Sequence, residues 1–228
     1  MKLTLADRKE EAGDAISFFF LPDAPLAWQA GQFLHYTLPH QNPDQRGIKR
    51  WFTIASAPHE GRVQVTTRFT ADKGSTFKRA LRDLPIGATI EADGPEGDFI
   101  ITDPDQTYVF IAGGIGITPY RAILLDLAHR GLPIHVALLY GNRNDEFVFK
   151  SELEALAKKY PTLKIRYAVS PAKIDEFSIR NLISDLEHPI FYTSGPEPMV
   201  EAVEKMLAEM GVPDEHSKRD YFPGYLWP

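Results

Sequence analysis

Near residue 102 the hydrophobic pattern of this chain changes period. Upstream, short runs that alternate or carry β-branched and aromatic residues are cut by Gly and Pro. They are Lys2 to Asp7, Ala15 to Leu21, Gln32 to Leu38, the run opened by Arg50, Arg62 to Phe69, and Ile90 to Ala92. Short strands punctuated in this way are the pattern of a small antiparallel barrel. Downstream, strand-like runs take turns with helix-like ones, the pattern of right-handed β-α-β units whose parallel sheet is covered on both faces. The expected fold is therefore two domains: an N-terminal antiparallel β-barrel over residues 1–102 and a C-terminal α/β parallel-sheet domain over 103–228, with the boundary near Thr102-Asp103-Pro104.

One helix interrupts the first half. Gly74-Ser75 is a good start, and Phe77, Ala80, Leu81 and Leu84 recur at helical spacing, so the expected span is Ser75 to Leu84. In the second half the expected strands are Tyr108 to Ala112, Ile134 to Tyr140, Leu163 to Val169, Ile190 to Thr193 and Lys218 to Phe222. The helices between them are Pro119 to Arg130, Lys150 to Lys159, Ser178 to Leu186 and Glu197 to Met210, the last ending at Gly211, a residue type that commonly follows a helix.

Composition removes whole classes of function. The 228 residues include no cysteine, which excludes a disulfide, a thiol nucleophile, a cysteine zinc site and a thiolate-held iron–sulfur cluster. A net charge of −6 without a basic run gives no footprint for nucleic acid. The seven histidines form no His-x-x-x-His pair, so no metal site is expected. The charged, alternating start Met1 to Arg8 is not a signal or transit peptide, and no apolar run reaches the ~20 residues of a membrane span. A cytoplasmic protein is the expectation.

Two stretches carry chemistry. In Arg50-Trp51-Phe52-Thr53-Ile54-Ala55-Ser56-Ala57-Pro58, strand alternation puts Arg50 and Phe52 on one face. A planar cation, a flat ring and the Thr53 hydroxyl suit a ligand with both a phosphate and an aromatic ring; a half-buried strand with a snorkelling arginine is the structural alternative. Gly74-Ser75-Thr76 is either an ordinary helix cap or an anion site on free N–H groups. The second stretch, Ile111 to Pro119, is a glycine-rich turn between strand and helix, where ligands of open parallel sheets bind, although its spacing is not Gly-x-Gly-x-x-Gly. A tight connection would also need these glycines.

Together these motifs resemble the ferredoxin–NADP reductase superfamily, and the likeness runs over nearly the whole chain. Arg-x-Phe-Thr is similar to its flavin-binding strand. The resemblance implies that Arg50 binds the flavin pyrophosphate, that Phe52, with Trp51 beside it, packs on the isoalloxazine, and that Thr53 lies near flavin N5. Gly74, Ser75 and Thr76 match the element that holds the pyrophosphate from the other side. Gly-Gly-x-Gly-x-Thr-Pro resembles the nicotinamide nucleotide loop, which carries that role to Gly113, Gly114, Gly116, Thr118 and Pro119. Asn142 and Arg143, after the second strand, fall where the family meets the adenosine ribose; Arg143 suits a 2′-phosphate, while Asp145 and Glu146 suit a free 2′-hydroxyl, so NADPH and NADH are both open. Ser194-Gly195-Pro196 followed by Met199-Val200 resembles Cys-Gly-Pro-x-x-Met-Val beside the reacting nicotinamide, with Ser194 where the family has cysteine. In the aromatic tail, Tyr225, or failing that Trp227, is the residue to cover the flavin, unless these rings only dock the tail.

The resemblance implies an NAD(P)H-dependent FAD oxidoreductase of the ferredoxin reductase type, with FMN as the other flavin. Thr53 and Ser194 stand next to the reacting atoms and no strong acid or base is required, because the cofactors carry the chemistry. Electrons leave to an acceptor protein such as a ferredoxin, flavodoxin or oxygenase component, or to a small molecule. A non-catalytic flavin-binding module and a free-flavin or dye reductase are the alternatives, and the oligomeric state is open.

Overall fold

The computed structural model describes residues 1–69, 74–170, 172 and 174–222. Tyr225 and Trp227 lie outside the described residues. Among the described residues, six strands form one antiparallel sheet: β1 (Lys2–Glu10), β2 (Ala15–Pro22), β3 (Phe33–Thr37), β4 (Lys49–Thr53), β5 (Val63–Arg68) and β6 (Thr89–Glu96), in the order β4-β3-β6-β1-β2-β5. Its two edge strands come together just past β4, where Ala55 N–H donates to the Gln64 carbonyl at 2.8 Å. Ser56 completes the seam by donating to the Arg62 carbonyl and accepting from Gln64 N–H. The curl encloses Phe18, Phe20, Leu34, Tyr36, Val63 and Val65, and helix α1 (Thr76–Asp83) closes the core with Phe77 and Leu81. Simple alternation would leave the other face of β5 to solvent. Instead Gln64 and Thr66 are buried with Ser17, and the Gln64 amide nitrogen and the two hydroxyls bond to one another away from water, while Gln64 Oε1 has no partner among the described residues.

The second sheet is parallel: β7 (Tyr108–Gly113), β8 (Val136–Asn142), β9 (Lys164–Val169), β10 (Ile190–Pro196) and β11 (Ser217–Phe222), in the order β11-β10-β7-β8-β9. Alternate residues of the central strands feed two cores. Phe110 and Leu138 face one together with Ile123 and Leu127 of α2 (Thr118–His129) and Leu153 of α3 (Lys150–Lys159). Ile111 and Leu139 face the other with Ile179 of α4 (Glu176–Arg180) and Met199, Val203 and Leu207 of α5 (Glu197–Glu209). Continuous burial of β7 and β8 is what a sheet covered on both faces requires.

The expected helix over Ser178 to Leu186 is displaced. α4 starts two residues earlier, because Asp175 caps it by accepting from Ser178 N–H at 2.8 Å while the Ser178 hydroxyl reaches back, and it ends at Arg180. The two sheets are joined by residues 97–107. Phe99 packs into the core beside α2, and the Tyr192 hydroxyl donates to the Ile100 carbonyl at 2.7 Å.

Candidate functional site

The strand order reverses at β7: the chain leaves it toward β8 and β9 on one side, and β10 and β11 lie on the other. A crevice at the carboxyl ends of β7 and β10 is the geometric result. The turn after β7 and the end of β10 are pressed together there. A Cβ on Gly116 would stand 2.2 Å from the Ser194 carbonyl oxygen, and one on Gly113 would stand 2.2 Å from Met199 Sδ. Gly113 and Gly116 are thus small because the two glycine-containing motifs touch. Gly114 differs: it has φ +54°, and its missing Cβ would meet only ordinary contacts, 3.9 Å from both Arg68 Nε and Asn142 Oδ1. Thr118 opens α2, buried, with its hydroxyl on the Ile115 carbonyl, and Pro119 sits in the first turn, where its missing N–H costs nothing.

Arg68, at the end of β5, crosses from the first sheet to this turn. It pairs with Asp14 at 2.8 Å and donates to Asn142 Oδ1 at 3.3 Å. Asn142 in turn donates to Asn144 and to the Glu146 carbonyl, so its amide is committed to shaping the loop after β8. Arg143 is exposed beside it. The sequence reading missed Arg68; a cation ending a strand otherwise rich in Val and Thr was its only signal.

At the end of β10, Ser194 is fully buried and directs its hydroxyl at Asp220 Oδ2, 3.4 Å away. The neighbouring Thr193 Oγ1 is buried with no hydrogen-bond partner among the described residues, and Gly195 and Pro196 are buried against the β7 turn. Asp220, also missed, stands on β11 opposite Ser194. Burial pushes its carboxyl up to about 6, against the smaller opposing effect of the Ser194 bond. Because the folded protein favours the protonated acid, the stability this group supports is full below about 3.8 and is lost as pH rises to about 6. Asp220→Asn should therefore raise the unfolding free energy at pH 7.5 by about 1–3 kcal/mol and leave it unchanged near pH 3.5, as followed by thermal melts at the two pH values. An equal gain at both would show that charge is not the cause.

The second cluster lies on the first sheet. Arg50 is buried, with Phe52 half-buried two residues on. The Phe52 ring meets Tyr36 edge-on and Phe77, each at 5.8 Å. Trp51 faces the other way, half-exposed beside His35, and Thr53 is buried at the strand end. The Arg50 guanidinium reaches the start of α1. Nη2 donates to Ser75 Oγ at 3.2 Å and to Asp44 Oδ1 at 2.6 Å; Nη1 donates to the carbonyls of Arg46, Gly47 and Lys49. Nε is buried without a partner among the described residues. Ser75 stands at the cap position of α1 but makes no side-chain cap bond. The cap is supplied from far away in sequence: Asp44 Oδ2 accepts from Thr76 N–H at 3.0 Å and from its hydroxyl at 3.1 Å. Gly74 precedes them, half-buried, its carbonyl taken by Arg79. Arg50, Thr76 and the Arg46 amide therefore converge on one carboxylate, while the Ser75 hydroxyl accepts from the guanidinium beside it. Burial pushes Asp44 up, yet the amides of Thr76 and Arg46 and the guanidinium outweigh it and hold the acid far below the usual carboxylate range. These donors form an anion site, and Arg50 Nε adds one more buried donor that a larger anion can use.

Residues 2–101 match the oxidoreductase FAD-binding domain family and residues 110–205 the oxidoreductase NAD-binding domain family. The chain is 29% identical over 236 residues to the ferredoxin reductase component of 3-ketosteroid-9-alpha-monooxygenase from Mycolicibacterium smegmatis, covering 97% of this chain and 65% of that protein. It is 29% identical over 221 residues to ferredoxin–NADP reductase B of Sorangium cellulosum, covering 88% of each. Among solved structures, the FAD/NAD-binding domain of a nitric oxide dioxygenase from Vibrio cholerae superposes with a TM-score of 0.84 at 22% identity, covering 97% of this chain and 98% of that one.

Proposed function

The chain belongs to the ferredoxin–NADP reductase superfamily, with one FAD-binding and one NAD-binding domain, and from that premise we propose that it is a flavoprotein oxidoreductase that moves electrons from a nicotinamide nucleotide to an acceptor. When bound, FAD supplies the redox chemistry that no side chain has, accepting electrons in a pair and releasing them to the acceptor. The observation that carries this reading is the cluster of Arg50, Ser75 and Thr76, in which the guanidinium and the Thr76 amide and hydroxyl already hold a carboxylate and are donors of the kind a phosphate takes.

In this reading Arg50, Ser75 and Thr76 bind the flavin diphosphate, with Gly74 giving close backbone approach. Phe52 supplies ring surface on the Arg50 face, Trp51 offers a half-exposed ring on the opposite face of the strand, and Thr53 places its hydroxyl and amide at the reacting edge. Gly113, Gly114, Gly116, Thr118 and Pro119 shape the turn that receives the nicotinamide nucleotide, and Asn142, Arg143, Gly195 and Pro196 line its two sides. Gly114 is the turn position where a Cβ would meet no clash, and Arg68 brings a positive charge next to it from the flavin-binding side. Ser194, held by Asp220, presents its backbone to the crevice while its hydroxyl stays inside. Positioning of two flat cofactors face to face is the catalytic task, and rigid strand ends suit it. The proposed class of acceptor is an oxygenase component or another electron-carrying protein; these 228 residues hold no cysteine for a thiolate-held cluster. No helix among the described residues is long and apolar enough to cross a membrane.

The test is the visible spectrum of the purified protein, recorded without oxygen before and after NADPH and then NADH. A yellow protein whose flavin band bleaches with one nucleotide supports the proposal and identifies the donor. A colourless protein that cannot be reconstituted with FAD or FMN refutes it, and a yellow protein that neither nucleotide bleaches is a binding module instead. Arg50→Ala should weaken FAD binding about 10–100-fold, the loss of one charge-assisted contact, as measured by quenching of flavin fluorescence.

A further inference from the structure

The anion site on the first sheet is filled from within. Asp44 lies in the loop between β3 and β4, and its two carboxylate oxygens engage Arg50 Nη2, Arg46 N–H, Thr76 N–H and the Thr76 hydroxyl. The loop holds the same arginine by the carbonyls of Arg46 and Gly47, and the Asp44 amide donates to Thr76 Oγ1 at 2.9 Å, where His40 also bonds at 2.9 Å. The carboxylate therefore does what a phosphate would do: it neutralises a buried guanidinium and caps a helix N-terminus. Two anions cannot share these donors. A diphosphate brought to Arg50 Nη2 and Thr76 N–H would lie within van der Waals reach of the Asp44 oxygens, and like charges at that distance repel strongly in a partly buried site.

Resting on the reading of Arg50, Ser75 and Thr76 as the flavin diphosphate site, we propose that Asp44 is an internal competitor for that site, a carboxylate that the flavin must displace, so that binding of FAD opens the loop between β3 and β4. The device has a physical use. It spares the chain an uncompensated buried cation and an uncapped helix before the cofactor arrives, at the expense of affinity. It also couples occupancy of the site to the position of a surface loop.

The experiment compares wild type and Asp44→Asn, stripped of flavin, titrated with FAD and with riboflavin, which lacks any phosphate. Asparagine keeps an acceptor for Thr76 and Arg50 but removes the charge. The expected result is FAD binding at least about tenfold tighter in the variant with riboflavin binding unchanged, and a lower melting temperature of the flavin-free variant. Equal or weaker FAD binding by Asp44→Asn would overturn the proposal and make Asp44 a positioning residue that aims Arg50; an equal gain for riboflavin would also overturn it. Should the variant fail to fold, hydrogen exchange of the wild-type chain decides. Added FAD should speed exchange at the Arg46 amide, whose acceptor is Asp44, while the Thr76 amide stays protected; slower or unchanged exchange at Arg46 refutes the competition. A wild-type chain that binds no FAD would sink the functional reading and this inference with it, whereas FAD binding weakened by Asp44→Asn would sink this inference alone.

Discussion

Arg121→Ala should lower the unfolding free energy by about 2–4 kcal/mol, among the largest single-residue losses expected in this chain. Arg121 stands on α2, buried, between the two sheets. Its guanidinium makes five hydrogen bonds: two to Glu60, two to Glu152 and one to the Ala55 carbonyl, at 2.7–3.1 Å. Five is the full donor capacity of arginine. Glu60 belongs to the turn after β4 and also accepts from Ala57 N–H at 2.7 Å, while Glu152 is on α3. One side chain thus ties the edge of the first sheet to two helices of the second. Removing it strands two carboxylates; Glu60 is the costlier because Glu152 is partly exposed and water screens it. Lysine should not rescue, since a single ammonium cannot reach three acceptor groups in different directions. Urea denaturation measures the loss, and a change below about 1 kcal/mol would show that the tie is dispensable. The pH dependence follows. Burial pushes Glu60 up, but the bonds and charge of Arg121 outweigh it and hold it below its usual 4.5. A depressed acid adds stability that is complete above the unfolded value and is lost as pH falls through the folded one, so the wild type should lose this increment below about pH 4.5 and the alanine variant should not.

Gly116→Ala is the second large effect. Its new Cβ would meet the Ser194 carbonyl oxygen at 2.2 Å, the Ser194 carbonyl carbon at 2.5 Å and Gly195 nitrogen at 2.7 Å. All three are backbone atoms of β10, which cannot swing aside without breaking the sheet. A cost above about 3 kcal/mol and separation of the two motifs are expected, with loss of reduction by either nicotinamide nucleotide even where FAD is retained. Gly113→Ala should be milder, because its nearest obstacle is the flexible end of Met199. Gly114→Ala should cost only about 1–2 kcal/mol of left-handed backbone strain, since its nearest neighbours stand at ordinary contact distance, 3.9 Å. Thermal melts of the three variants, together with flavin bleaching, check the order. If Gly114→Ala were the most destabilising of the three, the packing account would be wrong.

Secondary structure and the order of elements were legible because they depend on neighbours in the chain. The alternation of Leu3 and Leu5, the aromatic run at Phe18 and the 3- and 4-residue spacing of Ile123, Leu124 and Leu127 are each local patterns that a strand or a helix must satisfy. α4 was misplaced because its start is set by a three-residue bond from Asp175 to Ser178, not by apolar spacing. The two glycine-containing motifs were legible as motifs, but the need for Gly113 and Gly116 came from contact with residues some eighty positions away, which no local pattern records.

Residue type and spacing alone mark which positions bring charge, rings and backbone freedom: Arg50, Phe52, Gly114 and Ser194 are each recognisable in this way. Tertiary structure alone decided what meets them. Asp44 reaches the start of α1 across 32 residues, Arg121 finds partners at positions 55, 60 and 152, and Asp220 stands half-buried opposite Ser194. Each of these is a charge whose worth depends on solvent exclusion and on the direction of a partner's lone pair. Both are properties of the packed interior, and a one-dimensional pattern of residues does not contain them.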